Sequence, residues 1–375
     1  VKNTNFTAAE KQDLTDDIKP LLGSSGGGNK NLIINGGMIV SQRNGTTATA
    51  VTSTNQYTLD RFKGSNNSDA AFTIAQSSTA PDGFANSLKV DVTTADTSLD
   101  AGHYGQILYH VEAQDLQQLG FGTSGAKASI LSFYVRSNKT GNYGVAVLQD
   151  DNSSKQVTFQ YTINSADTWE RKSFIIPADT SGVINNDNGK GFDIHIGFAA
   201  GTTYTSGSLR SSFTTFANGD LYAGQGVNLF DSTSNEWYIT GIQLEVGSVV
   251  TDFDHKSFAQ ELALCQRYYY QPISTGLGGI LPSILNMSMY NSTTAYGHIP
   301  LPVEMRANPS LDQVTGTDYF RCFGNNSNNA VTSFTLNRAY KTGCELAVTA
   351  DRGQGNSVWC RTNADAAKLA FSAEL

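Results

Sequence analysis

From Asn29 to Lys256 apolar and polar positions alternate with a period of two. Val157, Phe159, Tyr161 and Ile163 are interleaved with Thr158, Gln160 and Thr162. Phe192, Ile194, Ile196 and Phe198 alternate with Asp193, His195 and Gly197, and Leu131, Phe133 and Val135 with Ser132, Tyr134 and Arg136. Such runs are half-buried strands with one face toward a core. In the run 237–246, Tyr238, Ile242, Leu244 and Val246 share one parity, which places Trp237 on the other. Polar turn clusters such as Asp150–Ser154 and Asn185–Gly189 separate the strands. Many strands joined by polar turns predict a two-sheet β-sandwich of jelly-roll type over 29–256.

The period then changes. Ser257 reads as an N-cap, and Phe258, Leu262, Cys265 and Tyr268 fall on one helical face, giving a connecting helix over 257–271. Extended runs resume in 272–375, a smaller C-terminal β module. At the other end, Thr7-Ala8-Ala9-Glu10 has the form of a capping box, and Leu14, Ile18, Leu21 and Leu22 follow at helical spacing. Pro20 limits this helix to about three turns, which is marginal alone in water. Its apolar stripe wants a partner, and Gly23–Gly28 reads as a flexible linker. Residues 1–28 therefore form a connector or docking segment. The fold class is mainly β: a short N-terminal helix, a jelly roll, a short helix and a small β module.

Composition narrows the function. Charged residues are 15% of the 375, so uncharged Asn, Ser, Thr, Gln and Gly must make the surface polar. The 19 Phe, 16 Tyr and 3 Trp supply a core. A net charge of −8 argues against nucleic acid as a partner. No apolar run is long enough for a transmembrane helix, and membrane insertion is not expected. Cys265, Cys322, Cys344 and Cys360 lack zinc-site spacing, and no metal or other cofactor is expected. All four thiols are expected to be free, with Cys322–Cys344 the leading exception.

No nucleophile elbow, HExxH motif or P-loop occurs, so the chain is not expected to be an enzyme. Acidic pairs such as Asp150/Asp151 read as turn residues rather than a glycosidase pair. Aromatic rings that stack on sugar faces, together with amides for the hydroxyls, are the more useful class. Tyr134 and Trp237 are candidates because they sit opposite their strands' core residues. Tyr290, Tyr296, Asn325, Asn326 and Trp359 are candidates because they lie in or beside polar loops of the C-terminal module. Asp60-Arg61, set between aromatics, reads as a buried ion pair.

Two stretches carry a resemblance. Asn31-Leu32-Ile33-Ile34-Asn35-Gly36-Gly37-Met38, with Tyr57…Asp60-Arg61-Phe62, resembles the first strand of jelly-roll modules in bacteriophage tail-fibre proteins. Trp237-Tyr238-Ile239-Thr240-Gly241-Ile242-Gln243-Leu244-Glu245-Val246-Gly247-Ser248 resembles their last strand, and the run continues through Glu261-Leu262-Ala263-Leu264-Cys265-Gln266-Arg267-Tyr268-Tyr269. Pro302–Pro309 and the ending Ala373-Glu374-Leu375 fit the C-terminal module of the same proteins. The jelly roll is also similar to carbohydrate-binding modules. Many of those hold a calcium through a carboxylate that Gly37-Met38-Ile39 lacks.

The resemblance implies a virion protein assembled in the host cytoplasm, a homotrimer joined to other tail or fibre proteins through its N-terminal segment. It implies receptor binding to host surface polysaccharide during attachment, and structural roles for Asp60, Arg61, Gln243, Glu245, Cys265 and Arg267. The alternatives are a structural fibre or adaptor without glycan binding, and a glycan-cleaving tailspike. The short rungs that cleaving tailspikes repeat are not seen here.

Overall fold

The computed structural model describes residues 30–274, 281–324, 327–350 and 353–375. The expected N-terminal helix and linker lie outside the described residues, as do Asn325 and Asn326.

The first module is an antiparallel sandwich. Its strands are β1 (Thr49–Ala50), β2 (Gln56–Tyr57), β3 (Phe62–Asn67), β4 (Ala71–Ser77), β5 (Ser87–Thr94) and β6 (Tyr104–Glu112), followed by β7 (Ser129–Ser137), β8 (Gly141–Gln149), β9 (Lys155–Ile163), β10 (Glu170–Ile176), β11 (Lys190–Ala200) and β12 (Glu236–Val246). One sheet has the order β1-β4-β5-β12-β7-β10 and the other β2-β3-β6-β11-β8-β9. The alternating residues meet between them: Leu131, Phe133, Val135, Val157, Tyr161, Phe192, Ile194 and Phe198 share one core. This is the jelly-roll type of sandwich that the alternation predicts.

The alternation misleads at β12. Trp237 is fully buried, and its indole nitrogen donates to the Tyr161 hydroxyl at 3.3 Å. The register of β12 against β7 shifts between Thr240 and Gln243, and Gly241 there takes a φ of 62°. This β-bulge moves the core face from odd to even positions. Trp237 and Ile239 point inward before it, Ile242 and Leu244 after it. Tyr238, assigned to the core by parity, instead lies on the outer face beside Trp169, Lys89 and Arg136.

The helix Phe258–Gln266 starts at Ser257, which forms a capping box with Gln260. Its buried residues are Glu261 and Cys265, whereas Phe258 is exposed. The predicted apolar face is thus rotated, because the Glu261 carboxylate is drawn inward by the Asn35 amide. The helix stops short of 271, and β13 (Tyr269–Ile273) already belongs to the second module.

That module adds β14 (Ser283–Met289), β15 (Thr294–Pro300), β16 (Ser310–Val314), β17 (Phe320–Gly324) and β18 (Ser327–Val331), then β19 (Thr335–Tyr340), β20 (Gly343–Thr349), β21 (Ser357–Thr362) and β22 (Lys368–Ser372). A sheet of order β18-β17-β21-β14-β15-β20-β19 packs on a small sheet β13-β22-β16. Leu285, Met287, Ile299, Leu346 and Val358 of the larger sheet share a core with Ile273, Leu369 and Phe371 of the smaller. The expectation of four free thiols fails. Cys322 and Cys360 are direct partners across β17 and β21 and form a disulfide, while Cys265 and Cys344 are free and buried. The pairing was hidden because 38 residues separate two strands that the sheet makes neighbours.

The modules are joined by charge as well as by chain. Arg61, almost wholly buried, pairs with Glu374 at 2.5 Å, donates to the His110 carbonyl at 2.7 Å and stacks over Tyr268 at 3.5 Å. Arg43 pairs with the other Glu374 oxygen at 3.1 Å and lies over Tyr269. Arg306 donates to the carbonyls of Asn188, Ala373 and Glu374.

Candidate functional site

Strand alternation in the second module sets a row of side chains on the outer face of its larger sheet. The face is opposite the core because Cys322 and Cys360 point inward, so Phe323 and Trp359 point out. The register extends the row on both sides: Asn328 is opposite Phe323, and Asn286 is opposite Trp359. Asn328, Phe323, Trp359 and Asn286 thus stand side by side on β18, β17, β21 and β14. Three inter-strand steps span about 14 Å. Trp359 is 41% exposed, though large apolar side chains are usually covered. Its indole nitrogen donates to the Ser283 hydroxyl at 3.0 Å, which fixes the ring, and the Phe323 ring lies 5.1 Å away at 42°. The disulfide sits on the inner face one position from both aromatics, tying their strands together.

One residue row further on, Arg321 and Arg361 are opposite each other. Arg321 forms a two-pronged pair with Asp318 at 2.5 and 2.8 Å. Arg361 lies over the Phe323 ring at 4.9 Å. The surface offers two adjacent rings, flanking amides and guanidinium groups, which is what sugar faces and hydroxyls require.

The other candidates are scattered. Tyr290 is 66% exposed and meets Tyr296 edge-on at 5.6 Å, on the β14–β15 hairpin of the same sheet. Tyr134 lies on the outer face of the sandwich, against Phe84 and near Arg171. Trp237, being sealed in the core, is no surface residue. Phe323, Asn286, Asn328 and Arg361 were missed. The signal for Phe323 and Arg361 was the alternation of Phe323 with Cys322 and of Arg361 with Cys360, whereas Asn286 and Asn328 are placed by register, which no local pattern carries.

The remaining residues singled out hold the frame. Asp60 and Arg61 are both buried yet do not pair with each other. Arg61 has a φ of 73°, and Asp60 accepts from the Gln42 amide nitrogens while Arg61 turns to Glu374. Gln243 donates to Glu245 at 3.0 Å and accepts from the Asp254 amide, and Glu245 accepts twice from Thr251. Arg267 and Tyr268 both donate to the buried Glu112 carboxylate. Cys265 is fully buried, and burial pushes its thiol up.

The open face of the second sandwich sheet is already filled. Residues 201–226 fold across it. Tyr222 is buried against Gly144 and Gly197, where a Cβ would collide with its ring, and its hydroxyl donates to Gln106. Further along β6, on the same side, the Leu375 carbonyl accepts from Lys63 at 2.6 Å and Tyr57 at 2.7 Å, with His110 at 3.1 Å. Burial lowers the Lys63 pKa to about 8 and lowers that of His110. Asp193 faces both His110 and His195. Burial works against its charge, but the two imidazoles hold its carboxyl well below the usual range.

A 690 Å³ hollow beside the helix is lined by Lys30, Lys256, Arg267 and Glu304. Its charges are taken up internally, as in Lys256–Asp254 and Arg267–Glu112. Asp69, Asp96 and His103 bring two carboxylates and an imidazole within 4.8 Å of one another, a donor set able to accept a cation. Asp96 also accepts from the Ser98 amide and contacts His103.

No protein-family profile and no curated protein matches the chain. Among solved structures, a bacteriophage CBA120 tailspike protein 4 enzymatically active domain is 10% identical with a TM-score of 0.32, over 58% of this chain and 21% of that one. The chain thus spans about a fifth of that domain's length. A family 11 carbohydrate-binding module of a Clostridium thermocellum cellulase is 11% identical, TM-score 0.28, over 55% and 98%. A family 22 module of a xylanase from the same organism is 11% identical, TM-score 0.30, over 53% and 94%.

Proposed function

We propose that this chain is a non-enzymatic fibre protein of a virus particle that binds host surface glycan during attachment. The reading surface is the outer face of the seven-stranded sheet. The observation that carries this is the row Asn328–Phe323–Trp359–Asn286, with its exposed, hydrogen-bonded indole. Trp359 stays 41% exposed although it packs on Phe323 and Ser283, so a broad part of its ring is open to a ligand. The virion assignment, the homotrimer and the docking role of the N-terminal segment rest on the tail-fibre resemblance of the sequence. Three copies of a weak site would bind firmly through avidity.

Purified protein should compete with intact particles for adsorption to host cells, and Trp359→Ala should lose about tenfold or more of that competition. Equal competition by the variant would remove the platform. Light scattering should give a trimer mass, and a monomer at micromolar concentration would remove the fibre assembly.

A second reading, a structural adaptor, is favoured by the filled open face of the sandwich, where Tyr222 occupies the space above Gly144 and Gly197. Under it the jelly roll is only a support. Failure of the purified protein to bind cells or polysaccharide at all would select it.

A further inference from the structure

We propose that the platform selects acidic glycans and that Arg361 reads the carboxylate. This rests on the reading of that face as a glycan platform and adds the class of sugar.

Two guanidinium groups stand together beside the aromatic pair, but they are not equivalent. Arg321 is neutralised by Asp318, with both carboxylate oxygens engaged. The Arg361 side chain has neither an ion pair nor a hydrogen bond among the described residues. Its Nε is shut off from solvent without a partner, and its other nitrogens remain open. The Phe323 ring supports its planar group from one side at 4.9 Å. Among the described residues of this face, the Arg361 charge is uncompensated, in a chain whose net charge is −8.

The spacing suits a uronate. Trp359 and Arg361 are two residues apart on β21 and share a face, so their Cα atoms are about 7 Å apart. A hexuronate stacked on the indole would carry its carboxylate along the strand direction toward Arg361. The planar fork of a guanidinium matches a carboxylate in two parallel hydrogen bonds. The amides of Asn286 and Asn328 remain for ring hydroxyls. A neutral sugar would leave the guanidinium unused.

The test titrates the full chain with hyaluronan, alginate and polygalacturonate, each native and with its carboxyl groups chemically reduced to alcohols. A phosphorylated teichoic acid serves as a separate arm. The expected result is binding of a uronate polymer that falls about tenfold or more on carboxyl reduction. That binding should also weaken with added salt. Arg361→Gln should bind native and reduced polymers alike, and Arg361→Lys should recover only part of the preference. Near-ultraviolet circular dichroism would check that both variants are folded.

Equal binding of native and reduced polymers by the natural chain, with Trp359→Ala still defective, overturns the acidic preference and leaves the platform standing. Binding to the teichoic acid alone overturns carboxylate selection in favour of phosphate. Absence of binding to every polymer, with Trp359→Ala no different from the natural chain, overturns both.

Discussion

Trp237 and Trp359 show how differently one residue type is used. Trp237 fills the sandwich core against Phe198 and Tyr161, with no exposed surface. Trp359 is held in the open by one hydrogen bond and one ring neighbour. Trp237→Ala should therefore cost about 3–5 kcal/mol in denaturant unfolding. Trp359→Ala should cost about 1 kcal/mol or less and act on binding instead. Trp359 was legible as a candidate because it lies near polar loops. Trp237 was misread because parity was carried through Gly241, where the backbone resets it. Arg61 was recognised as buried, but its partner Glu374 lies 313 residues away, beyond the reach of local pattern.

At the level of elements, uninterrupted alternation was dependable. The faces of β7, β9 and β11 could be read directly, because period two in half-buried strands leaves no second solution. Registers between distant strands could not be read. The site row and the disulfide both arise from β17 lying beside β21, which nothing local encodes. The disulfide braces the two strands that carry Phe323 and Trp359. Replacing both Cys322 and Cys360 by Ser should cost about 2–4 kcal/mol. It should also weaken glycan binding while leaving the near-ultraviolet signature of the sandwich in place. Denaturant unfolding followed by a binding titration checks both effects.

Across the whole molecule, the two modules share buried charges and are not beads on a string. Glu374 lies between Arg43 and Arg61, and the strand β13 pairs with β22 from the far end of the chain. Glu374→Gln leaves Arg61 buried without its counter-charge and should cost about 3–5 kcal/mol. Truncation after Gln271 should destabilise the sandwich for the same reason, so point variants of the outer face are the cleaner probes of binding.

The same junction should be sensitive to acid. Burial depresses the His110 pKa in the folded protein, opposed by Asp193 and reinforced by Lys63 and Lys190. The unfolded chain therefore takes up a proton first as pH falls below about 6.5. Stability should decline from there down to the folded pKa, and His110→Gln should flatten the dependence of the melting temperature between pH 7 and 5.

The most direct test of the account is hydroxyl-radical footprinting of the full chain with and without a saturating host polysaccharide. Trp359 and Phe323 should lose reactivity together on binding, while Tyr134 and Tyr340 keep theirs. Protection centred on Tyr134 and Phe84, or full reactivity of Trp359 in the bound state, would contradict it.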